Sequence, residues 1–176
     1  MTWSILARDP DTGTFAIAVA TKFFAVGALV PHARAGVGAV ATQALINPFY
    51  GLDGLNLLQD GLPATDVIAK LVASDDGRDQ RQVHAIDAQG RTAAHTGQSC
   101  VDWCGAGAER DLSVAGNMLA NANVVEATAA RQELAQDDGC PALREDLGGH
   151  GDRAELTIAS HGQDARGRGA GRQVHF

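Results

Sequence analysis

A chain of 176 residues, 45% hydrophobic and 20% charged, can enclose a core as one domain and has the composition of an ordinary globular protein. Fourteen basic residues against twenty-one acidic ones leave a net charge of −7, with no basic stripe carrying interleaved aromatics, so nucleic acid is excluded as a partner. No apolar run approaches the roughly 20 residues that span a bilayer. No basic flank followed by an apolar stretch marks a secretory leader, so no membrane partner and a cytoplasmic address are expected.

In chain order, Trp3–Arg8 and Thr14–Ala20 read as a β-hairpin closed by Asp9-Pro10-Asp11-Thr12-Gly13. The second strand is apolar on both faces, which predicts a central position. A Gly-punctuated stretch, Val26 to Pro31, leads to Gly36–Ala44, a strand-like run of small residues that lets another backbone or a ligand come close. Asn47-Pro48-Phe49-Tyr50-Gly51 breaks the pattern ahead of two helices, Leu52–Asp60 and Pro63–Ala73. In the second, Ala64, Val67, Ile68, Leu71 and Val72 share one face.

After a solvated loop at Asp75–Asp79, Val83–Asp87 and Arg91–Thr96 form a second hairpin, and a third helix starts near Asn123 as N-cap and runs through Leu134. Composition changes after Asp137. Residues 138–176 are an atypical Gly- and Arg-rich segment, either loosely ordered or completing the domain formed by 1–137. From Gly148 to Phe176 only Leu156 and Ile158 stand out as strong core formers, too little for a helix or strand of much weight. The order β-β-β, α-α, β-β, α predicts an α+β layered sandwich.

The chemistry-bearing residues narrow the function by elimination. Cys100-x₃-Cys104 has no second pair at zinc spacing and the six histidines are scattered, so no metal or other cofactor is expected. Three cysteines make an odd count that argues for reduced thiols. Gly36-x-Gly38 and Gly105-x-Gly107 complete neither a Walker loop nor a dinucleotide fingerprint, and Gly-x-Ser-x-Gly is absent. Lys22, Thr42, Gln43, Asn47 and Asn117 are polar residues in apolar surroundings.

Thr2 carries a different signal. If Met1 is removed, the first residue has a hydroxyl and a free α-amine on one Cα, and that amine, with a pKa of roughly 7.7–8, can take a proton near neutrality.

The runs Ser4–Asp9, Ala18–Gly27 and Ala35–Ala44, with Asn47-Pro48-x-Tyr50-Gly51, resemble the DUF1028 family. So do Arg81-Gln82-Val83, Thr96-Gly97, Cys100–Trp103 and Gly116–Leu119, extending the likeness over residues 2 to 135. That family is grouped with the N-terminal-nucleophile (Ntn) hydrolases, and the resemblance implies a four-layer αββα sandwich of antiparallel sheets and hydrolysis of amide bonds. It implies Thr2 as nucleophile, Thr42 and Gln43 as candidates for holding the oxyanion, and Lys22, His32, Asn47 and Asn117 as substrate-binding candidates. Ala20 stands where proteasome-like relatives carry an acid, and His32 or Arg34 near where their lysine falls.

The expected function is an amidohydrolase acting on a small-molecule substrate through a linear amide or related C–N bond. The alternative is a non-catalytic protein of the same fold that binds a small molecule or a cell-wall peptide. Sandwich folds of this kind associate, so a homo-oligomer, a dimer or larger, is expected.

Overall fold

A computed structural model describes residues 1–137, 154–158, 162–163 and 169–170. The first hairpin forms as expected, with β1 at Thr2–Arg8 and β2 at Phe15–Thr21. Its turn is fixed by Asp9, whose carboxylate accepts from Asp11 N at 2.9 Å and from Thr12 Oγ1 at 2.8 Å, and by Gly13 at φ 73°. A short helix, α1 (Val26–Leu29), precedes β3 (Pro31–Arg34) and β4 (Gly38–Ala44). Helices α2 (Phe49–Gln59) and α3 (Ala64–Ala73) follow, then β5 (Arg81–Asp87) and β6 (Thr92–Thr96).

The sequence reading missed the next hairpin, β7 (Trp103–Glu109) and β8 (Leu112–Leu119), which leads into α4 (Asn123–Asp137). Cys-Gly-Ala-Gly-Ala in β7 has almost no β-propensity. In β8, buried Ser113 and Asn117 break the apolar alternation. Yet β8 sits beside β1 in the centre of a sheet ordered β7-β8-β1-β2, with antiparallel neighbours. The other sheet, β3-β4-β5-β6, is antiparallel throughout. The fold is thus a mixed helix-and-strand one on two sheets, in which β1 to β8 pair with one another only in the antiparallel sense.

One expectation about the tail needs correction. Ala154–Ile158 forms a strand, β9, that pairs with β2 in parallel, placing Leu156 opposite Ile17 and Ile158 opposite Val19. The two apolar residues singled out there are two apart, which is strand spacing. Two short strands, β10 (Gly162–Gln163) and β11 (Gly169–Ala170), pair with each other. The rest of the 138–176 segment lies outside the described residues.

Period-two alternation sorts each strand's side chains. In β4, Val40 faces α2 and α3 with Val83, Leu55, Val67 and Leu71, whereas Ala39 and Ala41 point between the sheets. There they meet Leu6, Phe15, Ile17, Val19 and Ile86. The remaining face of the first sheet packs Ile5, Val114 and Leu119 against Val125 of α4. Burying side chains such as these stabilises by about 1.5–3 kcal/mol each.

Part of the layer between the sheets is polar. Ser4, Gln43, Gln82, His84 and Ser113 are fully buried there, and Asn117 nearly so. Such groups are costly unless paired, and here each one is. Ser4 Oγ donates to Gln43 Oε1 at 2.7 Å, and Gln43 Nε2 donates to Gln82 Oε1 at 2.7 Å. Gln82 Nε2 in turn faces Thr96 Oγ1 and the Gly116 carbonyl at 2.9 Å. The seam ties β1 and β8 of one sheet to β4 and β5 of the other.

Candidate functional site

Register places the site. The hairpin turn pairs Thr2 with Thr21, and β8 pairs Asn117 with Thr2 from the other side, so three polar side chains meet at one end of the first sheet. They open onto a cleft of about 530 Å³. Its other walls come from α1, from the Ala44–Ile46 turn after β4, from Gln80 and from the Ser99–Val101 loop. Among the described residues, Lys22 is the one charged side chain lining it.

Backbone strain concentrates at this place. Ala44 (φ 68°) and Met118 (φ 56°) line the cleft, while Ala25 (φ 55°) and Asp102 (φ 57°) adjoin the lining residues Val26 and Val101. A non-glycine residue in the left-handed region costs roughly 1–2 kcal/mol, and such strain persists where the surroundings enforce it, most often at functional sites. The Ala44 turn is enforced from outside. Asp75 accepts from Arg81 Nε at 3.0 Å and from Asn47 Nδ2 at 3.1 Å, and Arg81 Nη1 donates to the Leu45 carbonyl at 2.7 Å.

Thr2 Oγ1 lies 3.1 Å from Thr21 Oγ1. Thr21 Oγ1 donates to the Met1 carbonyl at 3.0 Å and accepts from Phe23 N at 3.2 Å. Because Thr21 has one proton and gives it to Met1, the Thr2 hydroxyl is the donor between the two threonines. Met1 itself lines the cleft, its amine 3.4 Å from Met118 Sδ.

Of the residues expected at the site, Thr2, Lys22 and Asn117 come together in the cleft. Thr42 and Gln43, the candidates for holding an oxyanion, do not line this cleft. Both are fully buried, Thr42 Oγ1 donating to the Asn47 carbonyl at 3.3 Å and Gln43 committed to the seam. Alternation explains this placement, since β4 enters the core and only the turn after it reaches the cleft.

His32 is also elsewhere. It packs on α2 in the space left by Gly51 and bonds the Leu29 carbonyl at 3.3 Å, and burial lowers its pKa. Asn47 works locally, its Oδ1 accepting from Phe49 N at 3.1 Å at the start of α2. Among the described residues no group of His, Cys, Asp and Glu converges to hold a metal ion. No helix among them is long and apolar enough to cross a membrane.

Two residues at the site were missed from sequence. Thr21 was within reach of the hairpin argument, because counting back equally from the turn along both strands sets it opposite Thr2. Gln82, which accepts from Asn117 Nδ2 at 3.1 Å, had no local signal. Cys100 also lines the cleft, with its thiol pushed up by burial, which makes it a poor nucleophile.

No curated protein matches the chain. The crystal structure of protein SPO2555 from Silicibacter pomeroyi, a DUF1028 protein, matches at a TM-score of 0.71 and 35% identity. The match covers 73% of this chain, which spans 60% of that one. The model described as "Family of unknown function (DUF1028)" matches residues 2–148. With likeness in sequence over most of its length and likeness in fold to a solved member, the chain belongs to the DUF1028 family.

Proposed function

We propose that this protein is an N-terminal-nucleophile amidohydrolase that cleaves a linear amide or related C–N bond, with Thr2 as nucleophile after removal of Met1. The observation that carries this reading is the place of Thr2, in the wall of a cleft beside Thr21 and Asn117 and ringed by strained backbone. Helices on the outer faces of two stacked sheets support the finer description, a four-layer αββα sandwich of the Ntn kind.

In this mechanism the Thr2 hydroxyl attacks the amide carbonyl, its proton passes to the α-amine and then to the leaving nitrogen, and water releases the acid. Asn117, opposite Thr2, orients the substrate, and backbone N–H groups at the cleft edge hold the oxyanion. Lys22, the one charged side chain among the described lining residues, favours a neutral or anionic small molecule. This chemistry needs no cofactor. The same reading takes the protein to be cytoplasmic and homo-oligomeric. Phe24, 90% exposed, with Phe49 and Leu52, provides apolar surface for association.

Thr2→Ala is expected to abolish hydrolysis of a panel of N-acyl amino acids and peptide anilides without lowering the melting temperature, and Thr2→Ser to retain part of it. Unchanged turnover in Thr2→Ala would remove Thr2 from the mechanism. One observation favours the binding alternative: Met1 occupies part of the cleft. Intact-mass spectrometry separates the two, because a retained Met1 leaves no free amine on Thr2.

A further inference from the structure

We infer that Thr21 is a catalytic proton relay between the Thr2 hydroxyl and the Thr2 α-amine, taking the part that a bound water would otherwise play. The inference rests on the reading of Thr2 as nucleophile and names a residue which that reading did not contain.

A threonine hydroxyl has one proton to give and two lone pairs to receive. At Thr21, 6% exposed, all three are engaged: Phe23 N–H and the Thr2 hydroxyl donate to it, and its own proton goes to the Met1 carbonyl. The Phe23 bond spans two residues and locks the side chain in a turn formed by its own backbone. Removing Met1 takes away one of these partners, the acceptor. The Met1 carbonyl carbon is bonded to Thr2 N, so the group left nearest the freed proton is the new α-amine. Thr21 Oγ1 then has the Thr2 hydroxyl as donor on one side and the amine lone pair as acceptor on the other. An amine with a pKa of roughly 7.7–8 is partly neutral at pH 7–8 and accepts that proton.

The step balances without another reactant. Thr2 Oγ1 forms a bond to the carbonyl carbon and the carbonyl π pair moves to oxygen. The Thr2 proton moves to Thr21 Oγ1 as the Thr21 proton moves to the amine. When the C–N bond breaks, the ammonium supplies the proton for the departing nitrogen and the amine is restored.

The test measures acylation of Thr2 by a β-lactone probe in wild type, Thr21→Val and Thr21→Ser, each confirmed by intact mass to lack Met1. Wild type and Thr21→Ser are expected to form the Thr2 adduct at comparable rates, and Thr21→Val about 10²-fold more slowly, the usual scale for a positioned acid–base group. Two protons in flight also predict a curved dependence of the wild-type rate on the deuterium fraction of the solvent. Curvature is shared with a water relay, so where Thr21→Val fails to fold Thr21→Ala takes its place in the rate comparison, while a linear dependence in wild type still counts against the relay. An adduct formed at equal rates by wild type and Thr21→Val, or a linear dependence in wild type, overturns the relay and leaves the nucleophile in place. No adduct on wild-type Thr2 overturns both.

Discussion

His84 sits in the polar seam with no exposed surface, and burial pushes its imidazole down to about 3. The hydrogen bonds define its neutral form. Ser4 Oγ gives its proton to Gln43, so it accepts from His84 Nε2–H at 2.9 Å, and His84 Nδ1 accepts from Ser113 Oγ at 2.8 Å. A second ring proton would face a hydroxyl that is already donating. In the unfolded chain the same imidazole titrates near 6.5. Above that pH neither state is protonated and the stabilisation is fully present. Between about 6.5 and 3 only the unfolded chain takes up the proton, so stability falls as pH falls, by about 1.4 kcal/mol per unit. From pH 7 to pH 5 the loss from this one group is about 2 kcal/mol. Urea unfolding at pH 7, 6 and 5 is expected to show that slope in wild type and a shallower one in His84→Gln, whatever its stability at pH 7. An equal slope in the variant would place the proton uptake elsewhere.

Among the elements, the turn after β4 shows how a cleft wall is held by groups outside it. The Arg81 guanidinium, with further bonds from Asn47 and Gly77 N, holds the Asp75 carboxyl well below the usual carboxylate range. Its contribution is therefore complete above about pH 4, where an unfolded Asp ionises, and is lost as pH falls through the lower native value. Asp75→Asn is expected to cost about 1–2 kcal/mol in urea unfolding, since a partly exposed pair is worth less than a buried one. It should also raise KM more than it lowers kcat, because Arg81 then holds the Leu45 carbonyl less firmly. An unaltered KM would show that the turn keeps its shape without Asp75. The hairpins at Asp9–Gly13 and Ala88–Gly90, the two helices and the apolar face of α3 were legible in sequence because turn chemistry and periodicity are local. The hairpin of β7 and β8 was not, because its strands are built of small and polar residues whose partners lie far away in the chain. Thr2 and Asn117, both named from sequence, line the cleft, whereas the burial of Thr42 and Gln43 follows from the facing sheet.

For the whole molecule the open question of closure is where the domain ends. The sequence suggested 1–137, and the family match extends to residue 148. Neither limit includes β9, yet Ala154–Ile158 covers the edge of β2 along five residue pairs. An uncovered strand edge offers unpaired N–H and C=O groups to other chains. Here the edge would belong to Phe-Ala-Ile-Ala-Val-Ala-Thr, with no charge or proline to discourage pairing. That same strand carries Thr21 into the cleft, so loosening it reaches the site. A chain ended at Gly148 is expected to lose about 1–3 kcal/mol in urea unfolding, the common range for a local disruption. It should also elute from size exclusion as larger species at concentrations where the full chain does not. Full-length stability and an unchanged elution profile in the shortened chain would mean that β2 is already closed without β9, and that the domain is complete before residue 149.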